Sequence, residues 1–117
     1  MKRIALALFL LSACHKESSQ GPASAGDAKR GAQLIDQYGC SACHSIPGIA
    51  GPKGMIGPSL DHIGSRSFIA RKFPNTPETM TKWLQNPQAM DPQNTMPNLG
   101  ITPADGRDIT AYLFSLK

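Results

Sequence analysis

Two thiols and an imidazole stand together at Cys40, Cys43 and His44, separated by Ser41 and Ala42. That order, Cys, two residues, Cys, His, is the pattern for covalent haem attachment. The spacing has a physical reason. Thiols three residues apart reach both vinyl groups on one edge of a porphyrin, and the next imidazole then falls under the iron. A thioredoxin-like redox pair shares the two cysteines but wants a βαβ context that this chain lacks. A zinc site needs four ligands, and the only other histidines are His15 and His62.

An iron held by one histidine leaves a sixth position, and its occupant decides the chemistry. A methionine there raises the potential and suits electron transfer, whereas an open position suits gas binding or catalysis. Beyond the start methionine there are Met55, Met80, Met90 and Met96. Met80 falls on the apolar face of an expected helix, where methionine is usually core. Met55 lies too near the attachment site to cross to the opposite haem face. Met90 and Met96 both lie in a later loop and remain candidates. His62 suits a polar surface or propionate-side role better than ligation.

The elements that must position these groups are helices. Asp27 is suited to cap a helix over Ala28 to Tyr38, with Leu34, Ile35 and Tyr38 on one face and Gly39 closing it. Gly31 inside that helix costs roughly 1 kcal/mol relative to alanine, which points to close approach of another backbone. Thr76, Pro77 and Glu78 form a helix start with Met80, Trp83 and Leu84 as its buried stripe, and Pro87 stops it by Asn86. Thr102, Pro103 and Asp105 repeat the device before Ile109, Tyr112, Leu113 and Leu116. Two long loops, Ser45 to Pro58 and Asn86 to Ile101, are too rich in proline and glycine for regular structure. Loops of that length usually wrap something or carry function. No segment alternates as a strand does, so the expectation is an all-α domain of three main helices and long loops around one haem.

At 117 residues the chain has room for one domain. Its formal charge of +4 falls once Lys2 and Arg3 are set aside with a leader. With no basic patch and no nucleic-acid motif, that class of partner is excluded. The run Ile4 to Leu11 follows Lys2 and Arg3 and is too short to span a bilayer, so residues 1–13 read as an export signal. The Ser, Gln, Gly, Pro and Ala of Glu17 to Gly26 read as a flexible tether. The domain is expected over 27–117.

Two resemblances extend this. Leu11, Ser12, Ala13, Cys14 resembles a bacterial lipobox, which implies cleavage before Cys14 and its acylation, with residues 14–26 as acylated cysteine and tether. The 3 cysteines are then all used, one for lipid and two for haem. From Gly26 to Lys117 the chain resembles a class I cytochrome c. The likeness is carried by Gly57-Pro58-Ser59-Leu60 with Gly64-Ser65-Arg66, by Trp83-Leu84-Gln85-Asn86-Pro87, by Met96 with Pro97-Asn98-Leu99-Gly100, and by Ile109 to Leu113.

This resemblance implies one haem c on Cys40 and Cys43, with His44 and Met96 as the iron ligands. It implies that the Pro58 carbonyl holds His44, that Arg66 approaches a haem propionate, and that Trp83 packs on the haem. It also implies that Gly31 and Tyr112 mark the crossing of the first and last helices. Two departures stand out. The loop from Ile46 to Ile56 is long and glycine-rich, and Asn94 stands where a hydroxyl donor to the methionine sulfur is common; a side-chain amide is able to donate similarly. The function implied is one-electron transfer without catalysis, by a monomer tethered by lipid at the periplasmic face of a bacterial membrane. Its partners are then redox proteins such as a membrane-bound reductase and oxidase. A fixed subunit of a respiratory complex, or a haem sensor or enzyme with an open sixth position, are the alternatives.

Overall fold

The computed structural model describes residues 26–117. The expected leader, Cys14 and most of the expected tether lie outside them.

Four α-helices carry the domain: α1 (Ala28–Gln37), α2 (Pro77–Gln85), α3 (Pro87–Met90) and α4 (Pro103–Ser115). The three long ones start where their caps predict. Asp27 accepts from the backbone N–H of Lys29 and Arg30 at 2.9 and 3.1 Å. Thr76 accepts from Thr79 N–H at 3.1 Å, and Thr102 from Asp105 N–H at 3.2 Å. Each such cap is worth roughly 1 kcal/mol. Gly39, with φ of +71°, ends the α1 region in the left-handed conformation that its lack of a side chain permits.

Two elements differ from expectation. Pro87 does end α2, but it also begins α3: Asn86 caps the new helix by accepting from Ala89 N–H at 3.0 Å. Proline suits a first helical position because that N–H has no intrahelical partner anyway. A short antiparallel hairpin also forms, β1 (Phe68–Ile69) and β2 (Phe73–Pro74), with Ile69 opposite Phe73. Its strands are too short to show alternation in sequence.

The core lies where α1 and α4 cross and α2 packs beside them. Leu34 and Ile35 meet Ile109 and Leu113, while Met80 and Leu84 come from α2. Met80 is 3% exposed, a core residue as its helical position implied. The crossing depends on Gly31, where any β-carbon would overlap the carbonyl of Asp108. Gly31 therefore has the role expected of it. Its neighbours are Asp108 and Ile109, however, and Tyr112 acts one turn later, its hydroxyl donating to the Pro47 carbonyl at 2.6 Å. Polar bonds reinforce the crossing at its rim. Arg30 pairs with Asp105 and Asp108, Tyr38 donates to Asp105 at 2.7 Å, and the Asp27 N–H donates to Asp108 at 2.8 Å.

Gly26 belongs to this rim as well, since a β-carbon there would overlap the Arg107 carbonyl. The chain thus enters the domain against α4, at the end of α1 remote from the cysteines.

A haem-attachment segment and its supports

Cys40 follows directly on the turn that ends α1, so the helix that crosses α4 also sets where the thiols stand. Cys40–Ala42 form a 3-10 turn that brings the His44 N–H to the Cys40 carbonyl at 3.0 Å. Cys40 and Cys43 form no disulfide with each other and are partly buried. Burial pushes the Cys40 thiol above its ordinary pKa, the reverse of the electropositive setting that makes a redox or nucleophilic cysteine reactive.

His44 is oriented by its own loop. Its Nδ1 lies 2.7 Å from the Pro58 carbonyl, so this nitrogen carries the proton and donates, leaving Nε2 as the free lone pair. This is the carbonyl support expected of Pro58. The loop reaches it by pairing with the attachment segment itself: Gly54 N–H donates to Ser41 at 3.0 Å, Gly57 N–H to Cys43 at 2.7 Å, and Leu60 N–H to Ser45 at 2.9 Å. The glycine-rich loop from Ile46 to Ile56 therefore folds back over Cys40–His44. Ile46 is buried beneath it, whereas Met55 and Ile56 are 92% and 80% exposed. Met55 thus points to solvent and is remote from any ligand role.

Gly57 is the supporting residue that residue-by-residue reading missed. A β-carbon at this position would collide with the His44 ring, so only glycine lets the backbone pass so close to the imidazole. The signal was its place directly before Pro58.

Arg66 is spent on the backbone beyond Pro58, donating to the Ser59 carbonyl at 2.8 Å and the Asp61 carbonyl at 2.7 Å through one terminal nitrogen. Asn75 adds two donations, to Ile63 at 2.8 Å and to Arg66 at 2.9 Å. The buried Oδ1 of Asn75 has no partner among the described residues. It calls for a donor that is not one of them, such as a water. His62 is exposed at the surface, before the 3-10 turn Ile63–Ser65. Trp83 is half-buried against the core and tilts onto Phe73, with ring centroids 6.0 Å apart.

Met96 packs against the core and Met90 closes α3. Asn94, between them, is committed to the backbone. Its amide nitrogen donates to the carbonyls of Pro87 and Asp91, which uses both of its protons and leaves none for a methionine sulfur. Its Oδ1 instead accepts the Met96 backbone N–H at 2.7 Å.

These residues fit a covalent haem. Two thiols one 3-10 turn apart sit beside an imidazole with one fixed tautomer, and a close-passing glycine holds that ring. Among the described residues, no cluster of three or more histidine, cysteine, aspartate or glutamate side chains could hold a metal ion by itself. Cys40, Cys43 and the oriented His44 are the donor set of a covalent haem-attachment site on a helical domain.

Comparison with known proteins agrees. The family model described as "Cytochrome c" matches residues 28–117. Cytochrome c-552 of Bradyrhizobium diazoefficiens is 30% identical over 100 residues, covering 86% of this chain and 85% of that protein. Cytochrome c2 iso-2 of Magnetospirillum fulvum is 36% identical over 90 residues, covering 66% of this chain and 91% of that protein. Cytochrome c oxidase subunit 2 of Bacillus sp. (strain PS3) is 29% identical over 94 residues, 77% of this chain but only 26% of that subunit's length. The chain belongs to the cytochrome c family. It is a class I c-type cytochrome with one covalent haem c, attached through the Cys40 and Cys43 pair, and the family implies electron transfer.

Proposed function

We propose that this cytochrome is a one-electron carrier, not an enzyme, with its haem iron ligated by His44 and Met96 and its domain tethered by lipid on Cys14 at the periplasmic face of a bacterial membrane. Histidine and methionine ligation gives haem iron a raised potential suited to electron transfer. The observation that carries the reading is the state of the two ligand side chains. His44 presents Nε2 because Pro58 occupies Nδ1, and Met96 packs on the core with its backbone held by Asn94.

The other residues have supporting parts. Arg66 has donors left beyond the nitrogen used on Ser59 and Asp61, and these suit a haem propionate. Trp83, at the edge of the core, packs on the haem.

Membrane-bound redox proteins are the expected partners, a reductase as donor and an oxidase as acceptor. Docking is transient and small, below about 1,200 Å² of buried area. A tether raises the local concentration near such partners. The relative named as an oxidase subunit favours a second arrangement, in which this domain is a fixed part of a respiratory complex. Purification in mild detergent separates the two, since a mobile carrier elutes alone as a monomer.

The first test is a pyridine haemochrome spectrum and an intact mass of protein from a host that matures cytochromes. One haem, two thioethers and a lipid on Cys14 are expected; an unacylated mass removes the tether. Met96→Ala is expected to keep the haem and lose the methionine–iron band of the oxidised protein. Rapid carbon monoxide binding by the untreated reduced protein would instead establish an open sixth position.

A further inference from the structure

The Met96 segment has almost no regular secondary structure, yet two amide side chains bond its backbone and a third, Asn98, ties it to the backbone of α3. Gln88, inside α3, donates from Nε2 to the carbonyls of Asn94 at 2.9 Å and Met96 at 2.8 Å. Its own backbone N–H donates to Asn98 Oδ1 at 3.3 Å. Asn94 accepts the Met96 N–H and donates to Pro87 and Asp91. Both polar backbone groups of Met96 are therefore held, one by each amide.

The orientation of these amides is forced. Gln88 Nε2 faces two carbonyl oxygens, and reversing the amide would set oxygen against oxygen at both. The same holds for Asn94 with Pro87 and Asp91. α3 is the platform for the arrangement, and Asn86 caps it by accepting from Ala89 N–H.

We propose that Gln88 and Asn94 are positioning residues that clamp the Met96 backbone and thereby set how readily the sixth iron position opens to an external ligand. The proposal rests on Met96 being the sixth ligand. A thioether bonds iron weakly, so its hold depends on the loop returning it to the same place. A bound external ligand must either displace Met96 with its loop intact or strip the loop from α3. The clamp opposes the second route, and a loosened loop makes both easier.

Gln88→Glu tests this with little change of shape, replacing two donated protons by a carboxylate facing two carbonyls. Oxidised holoprotein is titrated with imidazole while the methionine–iron band is followed, and hydrogen exchange of the Met96 amide is measured alongside. The variant is expected to lose the band at roughly tenfold lower imidazole, the effect of about two lost hydrogen bonds. Its Met96 amide is expected to exchange faster, while amides in α1 and α4 keep wild-type protection.

Should Gln88→Glu fold poorly, Gln88→Met removes the same donors without adding charge. Asn94→Asp, which keeps the acceptor for Met96 N–H but loses both donors, is expected to shift the titration less. Wild-type imidazole titration and wild-type Met96 exchange in the folded Gln88 variant would overturn the proposal. Met96→Ala separates the two readings. Retention of the band in that variant removes Met96 as ligand, whereas the exchange rate of the residue 96 amide in Gln88→Glu still reports on the clamp.

Discussion

A carbonyl and a missing side chain decide how His44 stands. Pro58 takes the Nδ1 proton, and Gly57 leaves room for the ring that Pro58 orients. Gly57→Ala is expected to displace the imidazole or the loop, destabilising the holoprotein by about 1–3 kcal/mol as overpacking does. It should also shift the reduction potential, read by denaturant titration and by redox titration respectively. Pro58 could be placed from its resemblance to a family loop. The clash at Gly57 could not, because it depends on how the backbone of residues 54 to 58 passes the ring. Arg66 and Asn94 show the same limit from another side. Their types announced hydrogen bonding, but which of several acceptors each reaches is set by loop geometry, and both turned out to serve backbone carbonyls.

Among the elements, those with long apolar periods and capping residues were legible in advance. α1, α2 and α4 begin at Asp27, Thr76 and Thr102 because each supplies a side-chain acceptor where the backbone needs one. The hairpin gave no such signal. Its turn carries Ala70 and Arg71 with φ of +48° and +61°, a region normally left to glycine or asparagine, and Lys72 N–H closes it on Ile69 at 3.1 Å. Exchanging this pair for residues at ease there, Ala70→Asn with Arg71→Gly, is expected to stabilise the protein by about 1 kcal/mol. A rise in the chemical denaturation midpoint with an unchanged slope would record it. Lys72, the next residue, pairs with Asp91 at 2.9 Å and so ties the hairpin to the chain that leads to Met96. α3 escaped notice for a different reason: proline was read as an ending, although the same ring geometry also makes it a beginning.

For the molecule as a whole, the junction of α1 with α4 carries a pH dependence. Hydrogen bonds from Tyr38 and Arg30 hold the Asp105 carboxyl below the usual carboxylate range, and Lys72 does the same for Asp91. A carboxylate whose folded pKa lies below its unfolded value of about 3.9 contributes stability that is complete above that value. The contribution is lost as pH falls through the lower folded pKa. Thermal unfolding followed against pH is therefore expected to be steady at neutrality and to decline below about pH 4. Asp105→Asn is expected to flatten that decline; an identical acid profile would place the sensitivity elsewhere. One helix-rich domain with haem could be read from the motif and the caps together. That α1 and α4 are locked by Arg30 and Tyr38 could not, since the pairs lie far apart in the chain, as Arg30 and Asp105 do.

That separation also orders events in time. The bond from Asp27 to Asp108 joins residues 81 positions apart, so the crossing that completes the core closes only when the last helix exists. Cys40 and Cys43 precede α4 in the chain, so until α4 docks there is no crossing to hold α1 beside them. A chain still lacking that crossing offers Cys40 and Cys43 to attachment chemistry with no packed core around them.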